Sequence, residues 1–300
     1  MIKGIAVILG TFLLFTLLVN NHAQKQEAGS EGIRTTIVVS RQSVLPYESL
    51  SVMVLVHNET VENKRLVASW CAFLSIGEIT PAGINRWRSY VGDNEPVTIP
   101  CTPAPKNFAP GETKNMRAHI DYEAPSGEHV FAHPGKYVLQ GAASDASGRF
   151  VSNEIKITVR KPEGIDAKAY EFLRTSDLHH FFGEYTIHKY KYDQKTVEDI
   201  EKFIANFDGS EYSYLARKGL AFMWLRGVEG KQDQSRAIEL LSQVADHAGD
   251  PLSSEAEYYM AAALNRQQDI VKANYHFQRV LSGTPPPYFR YLAEESLRQH

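Results

Sequence analysis

Charge of one sign is missing as a block: 32 Lys and Arg stand against 35 Asp and Glu, scattered over 300 residues. So even a balance leaves no electrostatic footprint for nucleic acid or an anionic membrane surface, and neither is expected as a partner. Catalytic motifs are missing too. No serine nucleophile elbow, HExxH zinc signature or phosphate-binding glycine loop occurs, so no cofactor or metal is indicated and a non-catalytic chain is expected. Cysteine is scarce, with Cys71 and Cys101 alone, both in strand-rich sequence. A reactive thiol or a metal ligand would need a neighbouring base or further ligands, and neither is visible. A disulfide between the two is therefore expected, worth about 3 to 4 kcal/mol through loop closure.

What is present begins with a short basic start, Met1-Ile2-Lys3, and an uncharged apolar run from Gly4 to Val19. Sixteen residues reach about 24 Å as a helix, short of the ~20 residues a membrane span needs. Residues 1–23 are thus expected to be a cleaved signal, with an uncleaved inner-membrane anchor as the alternative. The protein is expected to be exported, periplasmic or extracellular, touching a membrane only through that segment if it is uncleaved. Residues 24–32 (QKQEAGSEG from Gln24) read as a flexible leader.

From residue 33 to 161 short β-branched segments alternate with turn formers. Strands are expected at Ile33–Val39, Leu50–Val56, Arg65–Ser75 and Thr113–Tyr122, with a final hairpin of Lys136–Ala143 and Arg149–Val159 turning at Asp145-Ala146-Ser147-Gly148. Between Gly77 and Pro110 the pattern fails, and a decorated loop or irregular edge strands are expected there. Asn58-Glu59-Thr60 spells a glycosylation sequon but reads better as a turn. The stretch Pro134-Gly135-Lys136-Tyr137-Val138-Leu139, followed by Ser152 to Val159, resembles the last hairpin of bacterial immunoglobulin-like and fibronectin type III-like modules. The resemblance implies a β-sandwich in which Tyr137 anchors a corner by bonding backbone. Leu139 stands where antibody domains place their second cysteine, so a Cys71–Cys101 bridge would be of another kind.

After Pro162 the period becomes helical. Residues 162–195 read as a connecting helix and loop, and 196–300 as consecutive amphipathic helices. Their stripes are Val197, Ile200, Phe203, Ile204 and Phe207; Ala216, Gly219, Leu220, Met223 and Trp224; Ala237, Leu240, Leu241, Val244 and Ala245; Ala256, Tyr259, Met260, Ala263 and Leu264; and Ala273, Phe277, Val280 and Leu281. Ser254 and Glu257 have capping-box spacing. Ala237, Leu241 and Val244 recur 36 positions later as Ala273, Phe277 and Val280. That near-constant period predicts stacked hairpins, and Glu255 to Leu281 resembles a tetratricopeptide repeat. The fold class expected is therefore all-β plus all-α, an immunoglobulin-like β-sandwich followed by a short tetratricopeptide-like array.

Two roles are expected of such a chain. It binds a protein or peptide of the cell envelope through the helices, exposing Tyr214, Arg217, Lys218, Glu257, Tyr258 and Asn265 opposite the core stripes, with Tyr258 as preferred anchor. Alternatively it is an accessory or inhibitor of an extracellular enzyme, acting through the β part with Trp87 between Arg86 and Arg88 as anchors. His129 and His133 lie in extended sequence, where four residues span about 13 Å, too far for one metal. His179, His180, Glu184 and His188 form a second cluster, but Gly183 breaks the helix that would align them, so a loop of solvated or capping histidines is expected. Asp121 and Glu123 read as a solvated strand face.

Overall fold

The computed structural model describes residues 32–66, 74–89, 106–121, 128–145, 148–182 and 192–299. The signal segment, Cys71, Cys101, Glu123, Glu184 and His188 lie outside them, as do the side chains of Arg86, Trp87 and Arg88. Ten strands are described: β1 (Ile33–Val39), β2 (Ser43–Val44), β3 (Leu50–Asn58), β4 (Lys64–Leu66), β5 (Leu74–Thr80), β6 (Gly83–Ser89), β7 (Lys106–Phe108), β8 (Thr113–Ile120), β9 (Gly135–Asp145) and β10 (Gly148–Val159). Seven α-helices follow: α1 (Gly164–Leu173), α2 (Gln194–Asn206), α3 (Glu211–Arg226), α4 (Gln234–His247), α5 (Leu252–Arg266), α6 (Ile270–Ser282) and α7 (Pro287–Arg298), with a 3-10 helix at Asp177–Phe181.

One sheet is antiparallel and three-stranded, ordered β1-β3-β8, with Ile33 opposite Asn58 and Leu50 opposite Ile120. The other runs β2-β10-β9-β4-β7, with β5 also paired to β9 and β6 paired to β5. It is mixed, because β2 lies parallel to β10 while β9 and β10 are antiparallel. The two sheets face each other across one apolar core. Leu50, Val52, Val54 and Val56 alternate inward from β3 and meet Leu74, Ile76, Leu139, Ile157 and Val159. Within the Gly77–Pro110 stretch β5 turns back into β6, with Thr80 opposite Gly83, and the pairing of the two strands shifts register between Ile76 and Glu78.

The opposite face of β1-β3-β8 is also covered. Met53, Val38 and Leu55 pack against Leu264, Phe277, Phe289 and Leu292 of α5, α6 and α7. This sheet is therefore the middle of three layers, and β3 is apolar on both faces as a strand buried on both sides must be. Arg117 pairs with Glu295 at 2.6 Å, and the Asn115 amide lies 3.3 Å from the Tyr291 hydroxyl, at the edge of that interface.

The fold class expected from the sequence is overturned by this arrangement. The protein is a mixed α/β structure with a mixed sheet, not an immunoglobulin-like sandwich followed by tetratricopeptide-like hairpins. The physical reason lies in the cores. The recurring triplets are buried as their period required, but Ala237, Leu241 and Val244 share a core with Leu45, while Ala273, Phe277 and Val280 share one with Met53. Each helical core takes in a residue of the strand region, so the repeat in sequence does not make a self-contained stack.

Local chemistry fixes the element ends. Asp193, Ser210, Asp233 and Asp269 each accept the backbone N–H three residues on and so cap α2, α3, α4 and α6. The capping box at Ser254 and Glu257 does not form, because α5 already begins at Leu252; Ser254 instead donates to Asp250 at 2.7 Å. Asn58 is buried, its amide donating to the Glu62 and Phe108 carbonyls while its oxygen accepts from Thr60, which closes an Asx turn.

Candidate functional site

The corner Leu45-Pro46-Tyr47-Glu48, between β2 and β3, is where the strands enter the helices. Leu45 is buried among Ala169, Leu173, Tyr212 and Leu215. The Pro46 carbonyl accepts from the buried Tyr212 hydroxyl at 3.1 Å. Tyr47 sits at φ 64°, a left-handed conformation unusual for a side chain of this size. Its N–H donates to the Phe131 carbonyl at 3.0 Å, which holds the turn against the segment leading into β9.

Glu48 continues the corner inward. Its carboxylate accepts the Leu45 N–H at 2.8 Å and pairs with Arg41; Arg41 also pairs with Glu255 of α5, and Glu255 pairs with Lys218 of α3 at 2.9 Å. These four side chains are 3% (Arg41), 0% (Glu48), 5% (Glu255) and 4% (Lys218) exposed. Two cations and two carboxylates alternate, so the buried cluster is neutral overall and ties one corner of the strands to two helices. Burial opposes the Arg41 charge, but Glu48 and Glu255 outweigh it and raise its pKa. Burial likewise works against the Glu255 carboxylate, yet Lys218 and Arg41 hold it below the ordinary range. For Glu48 burial wins over Arg41, and its pKa is raised.

On the other side of the corner, rings gather around Tyr47. His179 stacks on it with centroids 4.4 Å apart, His129 meets it edge-on at 5.8 Å and Tyr170 lies at 5.7 Å. His180 is 4.4 Å from His179. The Tyr170 hydroxyl donates to the Ala132 carbonyl at 3.0 Å. His129 is buried, and its Nδ1 accepts the Phe131 N–H at 3.1 Å. Burial, with His179 and His180 nearby, pushes its pKa down to about 3. His179 is pushed down by burial as well, against the opposing pull of the Ser176 and Leu173 carbonyls, to which its Nδ1–H donates, and of Asp177.

The six residues expected on one exposed face are scattered. Lys218 belongs to the buried cluster. Glu257 is buried too, bound to His276 at 2.7 Å and Arg279 at 3.1 Å. Arg217 is largely covered and pairs with Asp208 at 2.7 Å, with its guanidinium 5.6 Å from the Tyr214 ring. Tyr258 packs against Tyr259, Phe277 and Phe289, and Asn265 is half-buried. Lys218 and Glu257 thus correct the expectation of exposure: α3 is covered on nearly every side, and Glu257 turns toward α6. Asp121, expected on a solvated face, is buried, whereas His133 is exposed. The Tyr137 hydroxyl lies 3.4 Å from the His133 carbonyl.

The exposed apolar residues of the helices include a pair that sequence reasoning passed over. Val271 is 82% and Tyr275 60% exposed, one turn apart on α6. Their spacing put them off the core stripe through Ala273 and Phe277, and that was the signal available.

Among the described residues no group of three or more His, Cys, Asp and Glu is placed to hold a metal, and no helix is long and apolar enough to cross a membrane. No family model and no curated protein matches this chain. Solved structures match weakly. An alkylpurine DNA glycosylase, AlkC of Pseudomonas fluorescens, aligns at 11% identity over 43% of this chain and 31% of its own, with TM-score 0.29. The sporulation control protein Spo0M of Bacillus subtilis aligns at 9% over 49% and 56%, TM-score 0.30. A β-glucosidase of Listeria innocua aligns at 11% over 45% and 17%, TM-score 0.23. This chain spans about a third of the first and about half of the second. Likenesses this slight carry no argument about what it does.

Proposed function

We propose that this chain is a non-catalytic, exported protein of the bacterial cell envelope that binds a protein or peptide partner on the exposed side of α6. The observation that carries the reading is the pair Val271 and Tyr275. Two apolar side chains one turn apart, 82% and 60% exposed, stand clear of the core that Ala273 and Phe277 fill. A tyrosine offers large contact area at small entropic cost, which suits it as an anchor. Lys272, Gln278 and Arg279 surround the pair as a polar rim. Tyr275 takes over the anchor role expected of Tyr258, whose ring is engaged in packing.

Cross-linked capture from cells exporting the full chain tests this. Tyr275→Ala should weaken recovery of the partner by about 1 to 2 kcal/mol, five- to thirtyfold, while urea unfolding stays within ~0.5 kcal/mol of the parent. Capture that is unchanged by Tyr275→Ala and by Val271→Ala would remove the reading.

A further inference from the structure

The rings around Tyr47 come from three separate stretches of chain: the corner itself, the segment before β9 that carries His129, and the helical stretch that carries Tyr170, His179 and His180. The first two are strand connections and the third belongs to the helices, so the cluster lies across the attachment between them. One hydrogen bond in it depends on protonation state by its chemistry. His129 Nδ1 accepts the Phe131 N–H at 3.1 Å, and an imidazolium has no lone pair with which to accept. The carbonyl of the same residue, Phe131, receives the Tyr47 N–H at 3.0 Å. Charging His129 therefore breaks the bond next to the one that holds Tyr47.

We infer that this cluster is a proton-sensitive latch: acid that charges His129 releases the Tyr47 corner and loosens the attachment of the helices before the core between the sheets opens. Among the described residues, the titratable groups around it are Tyr47 from the corner; Asp121, Glu128 and His133 flanking His129; Tyr170, Glu171 and Arg174 from α1; and Asp177, His179 and His180 from the 3-10 helix. Glu171 is exposed and already paired with Arg174 at 3.0 Å. Among the described residues, His179 and His180 act electrically on His129, and both resist a further positive charge.

The sign follows from linkage. His129 binds its proton less readily in the closed state than in the open one, since its pKa is pushed down to about 3 from an ordinary 6.5. Between those values each unit of acidification favours the open state by up to about tenfold, and the effect is absent above the ordinary value.

Amide hydrogen exchange on the full chain at pH 7.5 and 5.0, corrected for intrinsic rates, reads this directly. Protection at the Tyr47 and Phe131 amides should fall at least tenfold in acid, while Val52 and Val54 in β3 keep theirs. In His129→Asn the side-chain oxygen can still accept from Phe131 but does not titrate, and the corner should stay protected at pH 5.0. Equal protection of the parent at both pH values overturns the latch, as does acid loosening of His129→Asn like that of the parent. A second measurement needs no variant: titration of the His129 ring by NMR should be accompanied by a shift of the Phe131 amide, and a ring that titrates near 6.5 without one also overturns it.

Discussion

Replacing Lys218 by Met is expected to destabilise the full chain by about 3 to 5 kcal/mol at neutral pH. Methionine fills nearly the same length, so the loss comes from charge rather than from a cavity. Without Lys218 the buried cluster holds Glu48 and Glu255 against Arg41 alone, and one negative charge is left uncompensated where water does not reach. The pH dependence has a definite sign. Glu255 is held below the ordinary carboxylate range, so its stabilising share is present above that range and lost as pH falls through its folded value. In Lys218→Met it loses one of its two cations and takes up a proton more readily, so the gap between variant and parent narrows toward pH 4. Glu48, raised by burial, opposes that slope in parent and variant alike. Urea unfolding followed by circular dichroism checks the size. A cycle with Glu255→Gln, which removes both charges of the pair together, should show a coupling of about 2 kcal/mol. A loss below ~1 kcal/mol with no coupling would mean that the cluster is solvated in the working protein.

Much of the strand framework is legible in the sequence because β-branched alternation is a local signal. Ile33–Val39 and the β9–β10 hairpin fall where that alternation placed them, down to Gly148 opposite Asp145. The third layer was missed, although β3 carries its mark. A strand with one solvated face would not place Met53 and Leu55 between Val52, Val54 and Val56, and apolar residues on both faces announce cover on both sides. In the same way α3 was read as one stripe with a polar back. Tyr212, Leu215, Ala216, Leu220, Ala221, Phe222 and Met223 surround its axis, which is the pattern of a helix buried all round. In such a helix Lys218 requires a partner, and that requirement is legible. The identity of the partner is not: Glu255 lies 37 positions from Lys218, and Arg41 lies 214 positions from Glu255, separations over which a single sequence holds no pairing signal.

The joint around the corner was illegible for another reason. Leu45-Pro46-Tyr47 has the composition of an ordinary strand corner, and its histidine partners look solvated in a segment with no clear period. What joins them is long-range packing, in which Leu45 enters the helical core and Pro46 receives Tyr212 from 166 residues away. The same packing makes the six residues chosen for exposure unequal, since a helical wheel records which face is apolar and not what lies beyond the polar one.

Gly219→Ala is expected to destabilise the chain by about 2 to 3 kcal/mol, the upper part of the range for overpacking. Gly219 lies mid-helix in α3, where glycine by itself disfavours the helix, so Ala would be the better residue on propensity alone. Space reverses the sign. A Cβ at this position would stand 2.0 Å from the Phe181 carbonyl oxygen, 3.0 Å from its carbon and 3.2 Å from the Phe182 Cα, all backbone atoms that cannot turn aside. The methyl group must therefore push the 3-10 helix away from α3, and that helix carries His179 and His180 to Tyr47. Two readouts should move together: lower stability in urea, and weaker protection of the Tyr47 amide at neutral pH. Gly249→Ala is the control, because no atom lies within 4 Å of a Cβ there. It should leave both readouts within error of the parent. If Gly219→Ala matches the control, α3 does not lie against the 3-10 backbone, and the route by which the helices reach the Tyr47 corner is not the one described.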